Sequence, residues 1–110
     1  MEVRGRSTRG AVVYRISGQL DALTAQNLDP AIAIDGASPR VILDMREVTY
    51  VTSAGLRAIV RVAKRAQDAK GAIAIFGLRA VVKDVFEVAG FVNIIPIVSD
   101  ETEALAKLGA

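Results

Sequence analysis

The sequence predicts a single α/β domain spanning residues 1–110, with a mixed sheet of about five strands and helices mainly on one face. Two apolar runs, residues 41–43 and 72–76, have the pattern of strands covered on both faces, and helical spacing follows each of them. Hydrophobic residues make up 52% of the chain but aromatic residues only 5%, so the core must consist mostly of Val, Ile, Leu and Ala. A chain of 110 residues is long enough for one such core.

The first two strands are expected to form an antiparallel pair. Residues 3–8 alternate loosely with arginines, which is typical of an edge strand whose charges discourage aggregation between sheets. The arginines could instead bind nucleic acid, but no aromatic residues interleave with them, so the solvated edge is favoured. After a turn, residues 11–16 form the second strand, with Val13 and Tyr14 on opposite faces and Ser17-Gly18 at its end.

A helix is predicted after the second strand, with Asp21 as its N-cap and its end at about Ile34. Pro30 prevents an uninterrupted interior turn, so the helix should break or begin again there, with Asp29 capping the second piece. Its partial apolar stripe consists of Leu23, Leu28 and Ile32. The residues alone favour Asp21 as a cap, and the functional alternative is a place in a partner surface beside Ser53.

The central strand and the helix after it organise the rest of the chain. Residues 41–45 form the strand, Arg46-Glu47 interrupt the apolar run, and the chain stays extended to Thr52. Helical spacing then places Leu56, Ile59, Val60 and Ala63 on an apolar side, and Arg57, Arg61, Lys64 and Asp68 on the opposite side. The change falls on Ser53-Ala54-Gly55, at the strand's carboxyl end, which is the edge where functional groups gather in open α/β sheets.

The start of this helix is suited to a negative charge, because the N–H groups of a first helical turn have no partners inside the helix. Thr52 or Ser53 can cap one of these groups. Ala54 and Gly55 let the first turn approach the sheet edge closely. A phosphate on a hydroxyl here would add about −1.5 to −2 charges and change what the surface can bind. The basic side of the helix could meet an acidic partner surface, but those residues alone are more typical of an amphipathic helix whose polar side faces solvent.

The last third of the chain reads as two further strand–helix units. Lys70-Gly71 should end the central helix. A helix from about Ala80 to Val88 should bury Val81, Val82, Val85 and Phe86. Residues 94–98 are expected to form an edge strand, because Pro96 cannot donate to a ladder. Ser99-Asp100 should cap a final helix, with Glu103 at capping-box spacing and Ala104, Leu105 and Leu108 turned inward.

Composition and motifs argue against an enzyme. The chain has no cysteine and no histidine, which removes disulfides, most transition-metal sites and the commonest general base. Ser53 beside a strand-to-helix turn resembles a nucleophile elbow, but the Gly-x-Ser-x-Gly pattern is missing and no base is positioned. Asp44 and Asp21 at one sheet edge resemble a metal or phosphate-transfer site, although a carboxylate there more often bonds backbone or a hydroxyl. We therefore expect no catalytic residue, no metal and no cofactor.

The net charge argues against nucleic-acid binding, and the absence of long apolar runs predicts a cytoplasmic protein that does not insert into a membrane. The net charge is +2, with acidic and basic residues interspersed, which gives little support to nucleic-acid binding. No apolar run reaches the roughly 18 residues that a membrane span needs. No apolar segment follows the first residues, so a secretory signal is not expected.

Residues 41–66, VILDMREVTYVTSAGLRAIVRVAKRA, resemble the STAS domain of bacterial anti-sigma factor antagonists. Residues 18–21 are similar to that family's Gly-Glu-Leu-Asp turn, and residues 81–91 to its later helix and Gly-aromatic turn. The resemblance covers nearly the whole chain and implies a STAS-like fold. It also implies binding of a serine-kinase anti-sigma factor, which frees that factor's sigma factor. The kinase would switch the protein off by phosphorylating a hydroxyl at the helix start, and a phosphatase would restore it.

The chain departs from the best-known antagonists inside the motif that carries this switch. Their phosphorylated hydroxyl directly precedes Gly-Leu in Asp-Ser-Ser-Gly-Leu, whereas Ala54 and Thr52 stand here at that position and at the Asp position. Ser53 matches the other Ser and is the phosphorylation candidate. The predicted partner-binding residues are Asp21, Thr52, Ser53, Ala54, Gly55, Arg57 and Arg61. The motif is also similar to Asp-Thr-Ala-Gly-Leu of the STAS subunit in lipid-transport ABC complexes, so the alternative is a docking subunit without a phosphoswitch. The sequence does not fix the oligomeric state.

Overall fold

The computed structural model describes residues 1–34, 36–90 and 95–109, and within them the predicted α/β arrangement is confirmed. The strands are β1 (Glu2–Thr8), β2 (Ala11–Leu20), β3 (Arg40–Val51), β4 (Ala72–Phe76) and β5 (Ile97–Val98). The helices are α1 (Ala25–Ala31), α2 (Ser53–Asp68), α3 (Ala80–Val88) and α4 (Glu101–Lys107). The sheet has the order β1-β2-β3-β4-β5, in which β1 and β2 are antiparallel and the other neighbouring pairs are parallel.

Helices α1, α2 and α3 share one face of the sheet, and α4 covers part of the other. Tyr14 and Ile16 of β2 pack into the core on the side of α1, α2 and α3, which we call the three-helix core. Ala11 and Val13 pack instead with Leu105 of α4. Successive residues of a strand point to opposite faces, so the predicted opposition of Val13 and Tyr14 is confirmed. Within the described ranges, no helix is both long and apolar enough to cross a membrane.

Strands β2 and β3 are longer than predicted, because β3 accommodates two bulges. Residues 15 to 17 of β2 lie opposite residues 44 to 47 of β3, and residues 18 to 19 lie opposite 48 to 50. Each extra residue in β3 shifts the alternation of its side chains. As a result Met45, Val48 and Val51 all reach the three-helix core, although they are spaced three positions apart and a regular strand would alternate them between faces. The polar Arg46-Glu47 pair thus lies at a bulge inside the strand, and Ser17-Gly18 does not end β2.

The segment before α1 differs from the prediction. α1 begins at Ala25 rather than directly after Asp21, and Leu23 is 75% exposed because it lies in the preceding turn. Pro30 sits inside the last turn of α1, so no second helix begins there. Asp29 therefore caps nothing and instead accepts a hydrogen bond from Arg65 of α2.

Helix α3 has the predicted bounds, and its buried residues include Val82 and Phe86. Val85 is half-buried at the margin of the three-helix core. Val81, which was predicted to be inward, is 53% exposed. The prediction was wrong for Val81 because α3 meets the core along a narrower stripe than the four residues of the predicted buried face.

The other helix ends follow the sequence closely. At the end of α2, Lys70 adopts the left-handed conformation, with φ of 59°, and Gly71 does not. Gly71 is still required, because a Cβ there would lie 2.0 Å from the carbonyl oxygen of Pro39. Asp100 caps α4 by accepting a hydrogen bond from the Glu103 N–H at 2.8 Å, as predicted. The predicted inward residues of α4 are buried: Ala104, Leu105 and Leu108.

The last strand is shorter than predicted within the described ranges. β5 contains Ile97 and Val98 and pairs with β4 at the sheet edge. The carbonyl of Pro96 accepts a hydrogen bond from the Ile75 N–H at 2.9 Å. Proline can make this contact because it requires only a carbonyl oxygen and no backbone N–H. The start of the predicted strand, Ile94, lies outside the described residues.

The arginines of β1 do not form a free positive surface. Arg4 pairs with Glu2, and Arg6 pairs with Glu101 of α4. These pairs neutralise the strand's charge where it faces solvent, although exposed pairs of this kind add little stability. The arrangement supports the solvated-edge interpretation over nucleic-acid binding.

Asp44 lies in the middle of β3 and not at its carboxyl end. It is the one charged residue among the described core positions that is fully buried, with 2% of its surface exposed. Its carboxylate accepts hydrogen bonds from the Arg46 backbone N–H at 3.1 Å, from Nε at 3.0 Å and from Nη2 at 2.8 Å. The predicted proximity of Asp44 to Asp21 is therefore wrong. Asp44 lies where the first bulge begins, and its carboxylate is bound by Arg46 within the same strand. In the described part of the chain, no three acidic, His or Cys side chains converge as metal ligands would.

The Asp44–Arg46 pair should make stability depend on acid. Burial opposes ionisation of Asp44, but the hydrogen bonds and charge of Arg46 outweigh it and lower the pKa of this carboxyl. A lowered pKa in the folded state contributes stability above the ordinary carboxyl pKa of about 4, and that stability is lost as the pH falls through the folded value. We expect Asp44→Asn to unfold about 1–2 kcal/mol more easily at pH 7 and to lose less stability than the wild type between pH 5 and about pH 2.

Urea unfolding across this pH range measures the effect. Asp68→Asn, which removes an exposed carboxylate of α2, is the matched control and should unfold like the wild type. Parallel pH profiles for Asp44→Asn and wild type would show that Asp44 is not the acid-sensitive group.

Candidate functional site

The start of α2 presents Ser53 to solvent. Thr52 is extended, with φ of −94° and ψ of 175°, and its hydroxyl accepts a hydrogen bond from the Gly55 N–H at 3.3 Å. Of the two candidate caps, Thr52 is therefore the one that serves. Ser53 is the first residue of α2, its side chain is exposed, and no hydrogen bond ties its hydroxyl to another described residue. The Ser53 hydroxyl is thus free to react or to bind.

A direct backbone contact joins the start of α2 to the end of β2. The Thr52 N–H donates to the carbonyl of Leu20 at 3.0 Å. A Cβ on Gly55 would lie 2.4 Å from the same Leu20 oxygen, so only glycine permits this approach. Asp21 follows Leu20 and Ser53 follows Thr52, so each lies one residue from the hydrogen bond. The two segments that the sequence placed at one sheet edge are therefore fixed side by side.

Asp21 holds the turn between β2 and α1. Its Oδ1 accepts hydrogen bonds from the backbone N–H groups of Leu23 and Thr24, both at 3.0 Å. The Thr24 hydroxyl donates to the Gln19 carbonyl at 2.9 Å and accepts from the Asp21 N–H at 2.9 Å. The Thr24 N–H lowers the pKa of Asp21, and partial burial opposes this only in part. Asp21 is thus a charged, turn-forming residue that stands next to Ser53.

The basic residues of α2 divide into two groups. Arg57 and Arg61 follow Ser53 at intervals of four, so they lie on the same side of the helix, and both are exposed. Neither forms an ion pair within the described residues. Arg65 behaves differently, because its Nη1 and Nη2 each donate at 3.0 Å to carbonyls at the end of α1, those of Asp29 and Ile32. Arg65 therefore fixes α1 to α2, whereas Arg57 and Arg61 are available to a partner.

Ala54 and Gly55 complete the first turn of α2 without polar side chains. Ala54 is half-buried, and Gly55 is buried against β2. At this helix start Thr52 is engaged as the cap, which leaves Ser53 as the accessible hydroxyl of the motif.

An apolar groove between α2 and α3 begins at Ser53, and sequence reasoning missed it. The groove has a volume of about 310 Å³ and is lined by Ser53, Leu56, Asp84, Val85, Val88 and Ala89. Val88 is 90% exposed, although valine is an apolar residue. The available signal was a second apolar stripe on α3, since Val81, Val85 and Val88 recur at helical spacing beside the buried Val82 and Phe86. We call this feature the Val88 groove.

Comparison with known proteins agrees with this architecture. A family model described as the STAS domain matches residues 2–104. BtrV of Bordetella bronchiseptica, named as an anti-sigma factor antagonist, is 31% identical over 99 residues, which cover 88% of this chain and 85% of that protein. The anti-sigma-B factor antagonist of Listeria monocytogenes is 29% identical over 105 residues, or 94% and 91% of the two chains. A crystal structure from Thermotoga maritima has the same fold, with a TM-score of 0.87 at 17% identity over 98% of this chain and 95% of that one.

Proposed function

This chain belongs to the STAS domain family, and we propose that it is an anti-sigma factor antagonist that sequesters a serine-kinase anti-sigma factor. The observation that carries the proposal is the free Ser53 hydroxyl at the start of α2, fixed beside the Asp21 turn. The names of two relatives support it, since both are named as anti-sigma factor antagonists. The role is that of a binding module and not of an enzyme, and its partners place it in the cytoplasm, where sigma factors act.

The proposed contact surface consists of Asp21, Thr52, Ser53, Ala54, Gly55, Arg57 and Arg61. Phosphate on Ser53 would add about −1.5 to −2 charges at the centre of this surface. The Thr52 cap does not involve Ser53, so the helix start would stay folded and the phosphate would act at the interface. We propose that the partner kinase transfers this phosphate and that a phosphatase removes it.

Ala54 favours a second candidate function. It stands where the best-known antagonists carry their acceptor hydroxyl, and its methyl side chain has no oxygen that could be phosphorylated. The same surface could then dock constitutively, as in a STAS subunit of a lipid-transport ABC complex or of another signalling assembly. In that case Ser53 would contribute shape but no switch.

Substitution of Ser53 separates the two candidates. For the phosphoswitch we expect Ser53→Asp to weaken binding of the cognate kinase about 100-fold, because a charge desolvated at an interface costs several kcal/mol. Ser53→Asn is the matched control, since it has the same shape without the charge and should bind within about threefold of the wild type. Isothermal titration with the kinase measures both affinities.

Phosphorylation itself supplies the second readout. The kinase with ATP should phosphorylate wild-type protein and leave Ser53→Ala unmodified, as intact-mass spectrometry would record. Tight binding without phosphate transfer, together with unchanged affinity of Ser53→Asp, would favour the constitutive docking subunit.

A further inference from the structure

We propose that the Val88 groove receives an aliphatic side chain of the kinase anti-sigma factor, and that this contact anchors the complex beside Ser53. The inference rests on the proposed function and adds a second part of the interface, on α3. None of the partner-binding residues predicted from the sequence belongs to α3.

The groove has the character of a protein-binding surface. Its walls are mostly apolar, and Val88 exposes 90% of its surface at the rim. Exposed apolar patches with polar rims mark interaction sites on proteins. The groove has a volume of about 310 Å³ and is open to solvent, whereas small-molecule sites bury most of the ligand's surface. Its volume is enough for one or two side chains of a partner.

The charges on the two helices that form the groove define the kind of segment that fits, although only Asp84 among them lines it. α3 carries the carboxylates of Asp84, which lines the groove, and of Glu87, which is exposed. α2 carries the exposed guanidinium groups of Arg57 and Arg61 beyond Ser53. A complementary segment would place an aliphatic side chain in the groove, a basic group towards α3 and an acidic group towards α2. Such complementarity fixes orientation and suppresses wrong partners.

The groove also explains how a phosphate on Ser53 would release the partner. Ser53 and Val88 line the same groove, so the phosphate would stand at the mouth of an apolar site. Asp84 lines the groove too, and its negative charge would repel that phosphate. An aliphatic side chain could then enter only by desolvating the phosphate, which is costly.

Two valines of α3 provide a matched test. Val88→Glu should weaken binding of the purified kinase about 100-fold, because it puts a charge into the groove. Val81→Glu makes the same change two turns away on the same helix, at a position that is 53% exposed and does not line the groove. We expect it to bind within about threefold of the wild type. Both variants should keep the wild-type circular dichroism spectrum and melting temperature within about 3 °C.

A double-variant cycle shows whether Ser53 and Val88 act on the same occupant. Losses of Ser53→Asp and Val88→Glu that are clearly less than additive would support one shared contact. Full additivity, equal effects of the two valine substitutions, or no effect of Val88→Glu would each overturn the proposal. A wild-type dimer that Val88→Glu dissociates would also overturn it, because the occupant would be a second copy. If the proposed function is wrong, the result is different, because the wild-type protein itself would not bind the kinase.

Discussion

Ile59→Asp is expected to abolish folding at neutral pH. Ile59 lies in the middle of α2 and is fully buried in the three-helix core. Removing its side chain would cost about 2–5 kcal/mol, as for other large-to-small core changes. Burying a carboxyl group without a partner would cost roughly 2–7 kcal/mol more. The total is comparable to the whole stability of a typical domain, about 5–15 kcal/mol.

Circular dichroism and urea titration of purified protein test this expectation. Arg61→Asp, two residues further along α2 and exposed, should stay folded and lose less than about 1 kcal/mol. A cooperative unfolding transition for Ile59→Asp, with a midpoint near that of Arg61→Asp, would mean that α2 does not pack on the sheet with this face.

The features that the sequence predicted are those encoded in local spacing. The helical period after Ser53 identified the buried face of α2, and Leu56 and Ile59 are both buried. Helix α3 was predicted with its observed ends, because Gly77 before it and Gly90 after it mark turns with positive φ, 79° and 78°. The caps of α2 and α4 were narrowed to Thr52 or Ser53 and to Ser99-Asp100, because capping depends on residues three positions apart, and the structure selects Thr52 and Asp100.

The features that the sequence did not predict depend on contacts between distant segments. The bulges of β3 exist relative to β2, so the predicted extension to Thr52 could not show that residues 46–51 stay paired with β2 through two bulges. The position of Asp44 in the middle of β3 was missed for the same reason, because the length of β3 depends on its pairing with β2. The exposure of Val88 depends on which stripe of α3 meets the core, and the two apolar stripes of α3 are equivalent until the helix is packed.

The candidate site likewise contains features that local sequence reveals and features that depend on contacts between distant segments. Ser53, Ala54 and Gly55 could be found because the change from strand to helix is local. The sequence offered a place for Asp21 beside Ser53 only as an alternative to a capping role, and the hydrogen bond from Thr52 to Leu20, which joins residues far apart in sequence, holds the two turns together. The close packing of Gly55 on Leu20 is the structural basis of the site, and its consequences can be tested directly.

Gly55→Ala is expected to destabilise the protein, although alanine is the better helix former by about 1 kcal/mol. The reason is the backbone of β2, since the new Cβ would lie 2.4 Å from the Leu20 carbonyl oxygen and 3.0 Å from its carbon. A backbone group held by the Thr52 hydrogen bond cannot yield as a flexible side chain would. We expect a net loss of about 3 kcal/mol, at the upper end for overpacked positions, and a melting temperature lower by roughly 10–20 °C.

The sign of this change distinguishes packing from helix propensity. Ala54→Gly, the reverse substitution at the neighbouring residue, should lose only about 1 kcal/mol, because it changes propensity in the same helical turn without creating a clash. Gly55→Ala should also weaken kinase binding even where it remains folded, since the displaced turn moves Asp21 away from Ser53, whereas Ala54→Gly should spare that geometry. A Gly55→Ala protein more stable than the wild type would show that α2 and β2 are further apart than 2.4 Å implies, and Asp21 would then lose its place in the proposed surface.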